Sequence, residues 1–126
     1  MRTSVIVGVL VILLAVGAGW SNRYINTSGS VLEQYIDQME DQVRDSKWEK
    51  AESGYKQIES NWENTKKVWS ALVTHQEIDS IDLSLKRLEE FVKAKNFVLA
   101  SSELASLRLL FEHIVDTEAF NLTNVF

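Results

Sequence analysis

The sequence predicts an all-α protein: an N-terminal transmembrane helix followed by an antiparallel helical bundle of about four helices. Three observations carry that expectation. Residues 3–22, opening on Thr3 and closing on Asn22, hold no charged side chain and are mostly apolar. Behind them Trp48, Tyr55, Trp62 and Trp69 recur every seven positions. Proline is absent, which fits helices without kinks.

The apolar segment is the first element. Twenty residues at a rise of ~1.5 Å each cross a ~30 Å hydrocarbon core. Its N-terminal flank is very short and carries the α-amino group and Arg2, whereas the other flank soon turns acidic at Glu33, Asp37, Glu40, Asp41 and Asp45. The positive-inside rule counts basic residues and, although Arg23 weakens the contrast, favours an N-terminus inside and a C-terminal domain outside. Trp20 and Tyr24 fall where an outer aromatic belt belongs. Ala15 and Gly19, four residues apart, offer a face for helix packing. The alternative is a cleaved signal peptide with residues 5–16 as its apolar core and weak cleavage sites among the small residues at 15, 17, 18 and 19, although no Ala-x-Ala is present. Either reading puts the remaining domain outside the cytoplasmic membrane.

The expected organisation is an anchor over residues 1–25, a polar linker over 26–30 and a helical bundle over 31–126. Ser30 and Glu33 have capping-box spacing and open a helix. Leu32, Tyr35, Ile36, Met39 and Val43 give that helix one apolar face, ending near Arg44. Ser46 and Glu49 repeat the capping signal and open a long helix toward Gln76. Its aromatic stripe, interleaved with Ala51, Ile58, Thr65 and Leu72, is the 3-4 seam of a packed helix. Gly54 interrupts that helix at a cost of up to ~1 kcal/mol, a cost consistent with a neighbouring helix passing close by. A third helix over residues 79–95 buries Ile81, Leu85, Leu88 and Val92, with Asn96 as its stop. A fourth, over 98–116, buries Ala100, Leu104, Leu107, Phe111 and Ile114. In the tail, Phe120, Leu122, Val125 and Phe126 are apolar enough to dock on the bundle.

Charge and composition exclude several functions. With Arg2 and Arg23 set aside, eleven basic residues face all eighteen acidic ones, a balance of −7 beyond residue 24. Nucleic-acid binding needs the opposite sign, as does adhesion to anionic lipid. Without cysteine there is no disulfide framework, thiolate metal site or thiol nucleophile. No Gly-rich phosphate loop, HExxH or recognisable nucleophile motif occurs, so no enzyme activity and no cofactor are expected.

One polar constellation stands out. In an up-down bundle, His75 at the end of the second helix and His113 near the end of the fourth would share a pole with Glu77, Asp79 and Asp82. Glu112, Asp116 and Glu118 lie beside His113. Candidate metal ligands are therefore His75, Asp79, Asp82, His113 and Asp116, since zinc and manganese accept N/O donors. Imidazoles also titrate near neutrality. The simpler reading is structural: Asp79 or Asp82 caps the third helix, and each histidine sits favourably at its own helix C-terminus.

These residues resemble a family. Trp48-Glu-Lys-Ala51, Trp62, Trp69, the run from His75 through Glu77 and Asp79 to Asp82, the Glu103–Leu107 run, Glu112-His113-Ile114 and the ending Asn124-Val-Phe126 together resemble the bacterial proteins grouped as domain of unknown function 4363. That family is found largely in Gram-positive, often spore-forming bacteria. The resemblance covers nearly the whole length and implies a membrane-anchored protein, with family members as companions of a multi-pass membrane protein encoded nearby. It carries over no catalytic residue. The expected function is a membrane-anchored interaction module that binds or regulates an integral membrane protein. The alternative is an extracytoplasmic sensor or metal- or small-ligand-binding domain using the His75/His113 pole.

Overall fold

The computed structural model describes the backbone of residues 1–125 and the side chains of residues 1–119. It contains four helices and, among the described residues, no strand: α1 Arg2–Arg44, α2 Trp48–Leu72, α3 His75–Lys93 and α4 Phe97–Val125. Each helix packs on its sequence neighbour, and α4 closes the ring against α1, giving an up-down-up-down bundle.

The transmembrane candidate and the first bundle helix are one element. α1 runs 43 residues without a break, about 65 Å at 1.5 Å per residue. The expected polar linker at 26–30 is corrected to helix. Its weak helix formers are recruited by packing. The Ser28 hydroxyl donates to the Tyr24 carbonyl at 2.6 Å, and Gly29 is buried beneath Val115 and Trp69. In its C-terminal half α1 buries Ile25, Gly29, Leu32, Ile36, Met39 and Val43, an unbroken alternation of four- and three-residue steps that defines a left-handed bundle seam.

The aromatic repeat of α2 is core from Tyr55 to Trp69, as the sequence predicts, with Trp48 packed half-buried at its edge. Ala51, Tyr55, Ile58, Trp62, Thr65 and Trp69 are all buried. Trp62, Trp69 and Phe111 of α4 meet edge to face with centroid separations of 5.6, 5.8 and 5.9 Å, the geometry that suits the aromatic quadrupole. Both buried indoles find acceptors: Trp62 Nε1 donates to Asp82 at 2.8 Å and Trp69 Nε1 to Ser28 Oγ at 2.9 Å.

Several expected boundaries move. Ser46 does not cap α2, whose N-cap is Lys47 without a side-chain bond. Instead Ser46 adopts a left-handed conformation, φ 54°, and closes α1. Its N–H donates to Val43 and that of Lys47 to Gln42, the paired bonds of a Schellman motif. Lys95, φ 53°, does the same for α3, its N–H bonding Val92 while that of Asn96 bonds Phe91. Asn96 then turns from stop to start, its side chain accepting the Leu99 N–H at 3.0 Å as the cap of α4. α2 ends at Leu72, because Val73 is extended, and α4 continues past Asp116 to Val125. The expected docking of Phe120, Leu122, Val125 and Phe126 lies outside the described side chains.

Left-handed backbone costs a residue with a Cβ roughly 1 kcal/mol that glycine avoids. Lys95→Gly is therefore expected to raise the unfolding free energy by up to ~1 kcal/mol, read as a higher denaturation midpoint of the full chain in detergent. A fall would mean that the lysine side chain contributes more than its backbone strain costs.

Candidate functional site

The bundle has two poles. The α1–α2 and α3–α4 turns lie at the end far from the apolar segment, and the α2–α3 turn lies at the near end. The histidine constellation belongs to the near pole, but the structure assembles it only in part. His75 begins α3 rather than ending α2, and it is exposed. His113 lies well inside α4, not at a helix C-terminus, so neither histidine gains from a helix dipole as expected. Across the pole His113 Nε2 meets Glu77 Oε1 at 3.5 Å. The contact is ionic only when the imidazole is protonated.

The remaining candidates point elsewhere. Asp82 does not cap α3, whose N-cap is Thr74. It accepts from the Trp62 indole and pairs with Lys66 Nζ at 2.7 Å, which helps raise the Lys66 pKa. Asp79 lies on the same side, close enough to add to the field on Lys66. Asp116 faces α1 instead and acts on Glu33. Among the described residues no group of three or more His, Asp or Glu side chains is close enough to hold a metal ion.

Polar groups that the sequence reading did not single out are better built. Glu103 of α4 is buried. Its Oε1 accepts from Ser84 at 2.8 Å and from Arg87 Nε at 3.1 Å, both on α3. A carboxylate one step from the Ala100/Leu104/Leu107 seam was the available signal, since a charge so near a core needs a partner. On the opposite side Arg108 bridges from α4 to Asp37 and to Glu40 of α1, the latter at 2.9 Å. Within α2 the Tyr55 hydroxyl donates to Glu59 at 2.8 Å. Burial, then Glu59, pushes that phenol far above its ordinary range. The cleft beside it measures about 170 Å³ and is rimmed by Glu52, Lys56, Glu89 and Lys93, small against the ~300 Å³ at which ligand pockets begin. Glu103 and Arg108 tie helix to helix and the Tyr55–Glu59 bond lies within α2; none of them presents a nucleophile beside a base.

The sequence matches the family model described as domain of unknown function 4363 over residues 19–125. The chain belongs to this family. No curated protein and no solved structure matches it. The DUF4363 match begins at Gly19, next to Ala18, where the face of α1 first becomes half-buried against the bundle. The unit that the family model describes is thus the bundle with the lower end of the apolar helix attached.

An acidic ridge runs along the α1–α4 seam of this DUF4363 bundle. Burial pushes the Glu33 carboxyl above its ordinary range; Glu112, Asp37 and Asp116 act the same way, against Arg108. Glu118 is raised by burial and by Glu77. A raised carboxyl pKa favours the folded state below the unfolded value near 4.5, and that contribution is lost as pH rises through the folded pKa. Glu33→Gln is accordingly expected to stabilise the protein at pH 7 by up to ~0.5 kcal/mol, a usual size for a surface charge change. The gain should vanish at about pH 3, where both side chains are neutral. Thermal unfolding at the two pH values checks this, and an equal gain at both would point to a cause other than charge.

Proposed function

We propose that the protein is a single-pass, membrane-anchored interaction module with its bundle on the extracytoplasmic side, where it binds and stabilises or regulates an integral membrane protein. The observation that carries this reading is the upper half of α1. An 18-residue window there has mean hydropathy 2.3 and none of it is buried, yet the same helix continues as a core helix of the bundle. A rigid bundle is thereby held at a fixed height beside its membrane neighbours. The short N-terminal flank with its α-amino group and Arg2 supports the orientation. The site chemistry supports binding over catalysis, because the well-placed polar groups are spent on helix–helix contacts.

Purification of the full chain from its native membranes, in mild detergent after crosslinking, tests the proposal. Reproducible recovery of one integral membrane protein is the expected result. Recovery of the chain alone would overturn it.

A further inference from the structure

The seam of α1 does not stop where the bundle stops. Its buried positions, Ile25, Gly29, Leu32, Ile36, Met39 and Val43, step by four and three residues. Carried toward the N-terminus in the same register, the steps pass the half-buried Asn22 and Ala18 and then reach Ala15, Val11, Gly8 and Ser4. These last four are exposed. Between residues 4 and 16 the off-seam positions are all Val, Ile or Leu, while three of the four seam positions are Ala, Gly and Ser. Nothing lies within 4 Å of where a Cβ on Gly8 would be. The face that packs against α2 and α4 below is thus continued, bare, along the apolar segment.

The bundle itself decides what can cover that face. Val115 of α4 sits against Gly29, and α4 runs antiparallel to α1 for ten residues more, to Val125. Its last turn therefore reaches the level of Gly19, under the bare seam. A second copy of this chain laid parallel on the seam would have to continue downward, because its α1 is unbroken to Arg44. It would run into α4 and α2 of the first. A helix that ends or turns aside at the level of Ala18 meets no such obstacle and stacks above the end of α4.

We infer that the seam face Ser4–Gly8–Val11–Ala15 docks a transmembrane helix of a different, integral membrane protein, one that terminates at the membrane surface on the bundle side. The inference rests on the membrane-anchored reading above and specifies its contact. The small side chains let two backbones approach closely, which is how helices associate in lipid. A seven-residue repeat keeps the seam facing its neighbour at a left-handed crossing near +20°.

The chain has no cysteine, so single cysteines carrying a photoactivatable crosslinker can be placed in the full protein in native membranes. Adducts are expected from positions 4, 8, 11 and 15 and not from 6, 9, 13 and 16, with the crosslinked peptide in a transmembrane segment of another protein. Gly8→Leu with Ala15→Leu is expected to cut co-purification of that protein about tenfold, while Gly17→Leu, off the seam, leaves it unchanged. Adducts of equal yield around the helix, or adducts of the chain with itself from the seam positions, would overturn the inference. If crosslinking through bundle-surface lysines still recovers a membrane protein while the seam positions are silent, this contact is wrong and the proposed function stands. If neither route yields a partner, both fall.

Discussion

Trp69→Ala is expected to lower the unfolding free energy of the full chain in detergent by about 3–5 kcal/mol, the usual cost of deleting a buried large aromatic. Trp69 is fully buried where three helices meet. It stands edge to face with Trp62 and with Phe111 of α4, and its indole N–H reaches Ser28 of α1. Alanine removes these contacts together and leaves a cavity that the flanking rings, held by their own partners, cannot collapse to fill. Ser28→Ala isolates the polar part. It leaves the buried indole N–H without an acceptor, at about 1–3 kcal/mol, and a double-mutant cycle with Trp69→Phe reads the coupling directly. Trp20→Ala serves as the control, because Trp20 is exposed and stacks on Tyr24 of its own helix. If Trp69→Ala cost no more than Trp20→Ala, the aromatic cluster would not be the centre of the fold.

The same cluster shows what the sequence could and could not reveal. The heptad of α2 was readable because every seventh residue is a large aromatic and the alternate row is apolar but for Thr65, the pattern of a packed seam. The stretch from Asn26 to Ser30 was not, since Asn, Thr, Ser and Gly locally favour a break. What overrides that preference is tertiary: Ser28 satisfies a carbonyl of its own helix and a tryptophan forty-one residues away. The end of α2 was hidden for a related reason. Val73 and Thr74 carry no Gly or Pro signal, so the apolar pattern reads straight through the turn. That misplacement put His75 on the wrong helix and, with it, the two-histidine pole. The role of Glu103, which the sequence offers only as part of a motif, was hidden because its partners Ser84 and Arg87 lie on another helix.

Two glycines in helix interiors are expected to answer the same substitution with opposite signs. Alanine gains up to ~1 kcal/mol over glycine in a helix, so packing decides the outcome. At Gly29 a Cβ would lie 2.7 Å from Val115 Cγ2 and 3.9 Å from the Trp69 ring. Neither neighbour can yield, because valine on a helix has one favoured rotamer and Trp69 is tethered to Ser28. Overpacking of about 1–3 kcal/mol outweighs the propensity gain, and Gly29→Ala is expected to destabilise. At Gly54 the nearest atom is Gln42 Oε1, also at 2.7 Å. That oxygen ends a flexible side chain and has no hydrogen-bond partner where it is buried. Displacing it toward water relieves an unmade bond, so Gly54→Ala is expected to stabilise by about 0.5–1 kcal/mol. Denaturant midpoints of the two variants in the full chain are the measurement, and a shared sign would refute the packing argument. The contrast bears on function through α1. Gly29 lies where the apolar segment enters the bundle, so forcing α4 away from it should loosen the packing of the bundle on α1 beside that segment. Gly54→Ala, acting at the far pole, should leave that packing unchanged.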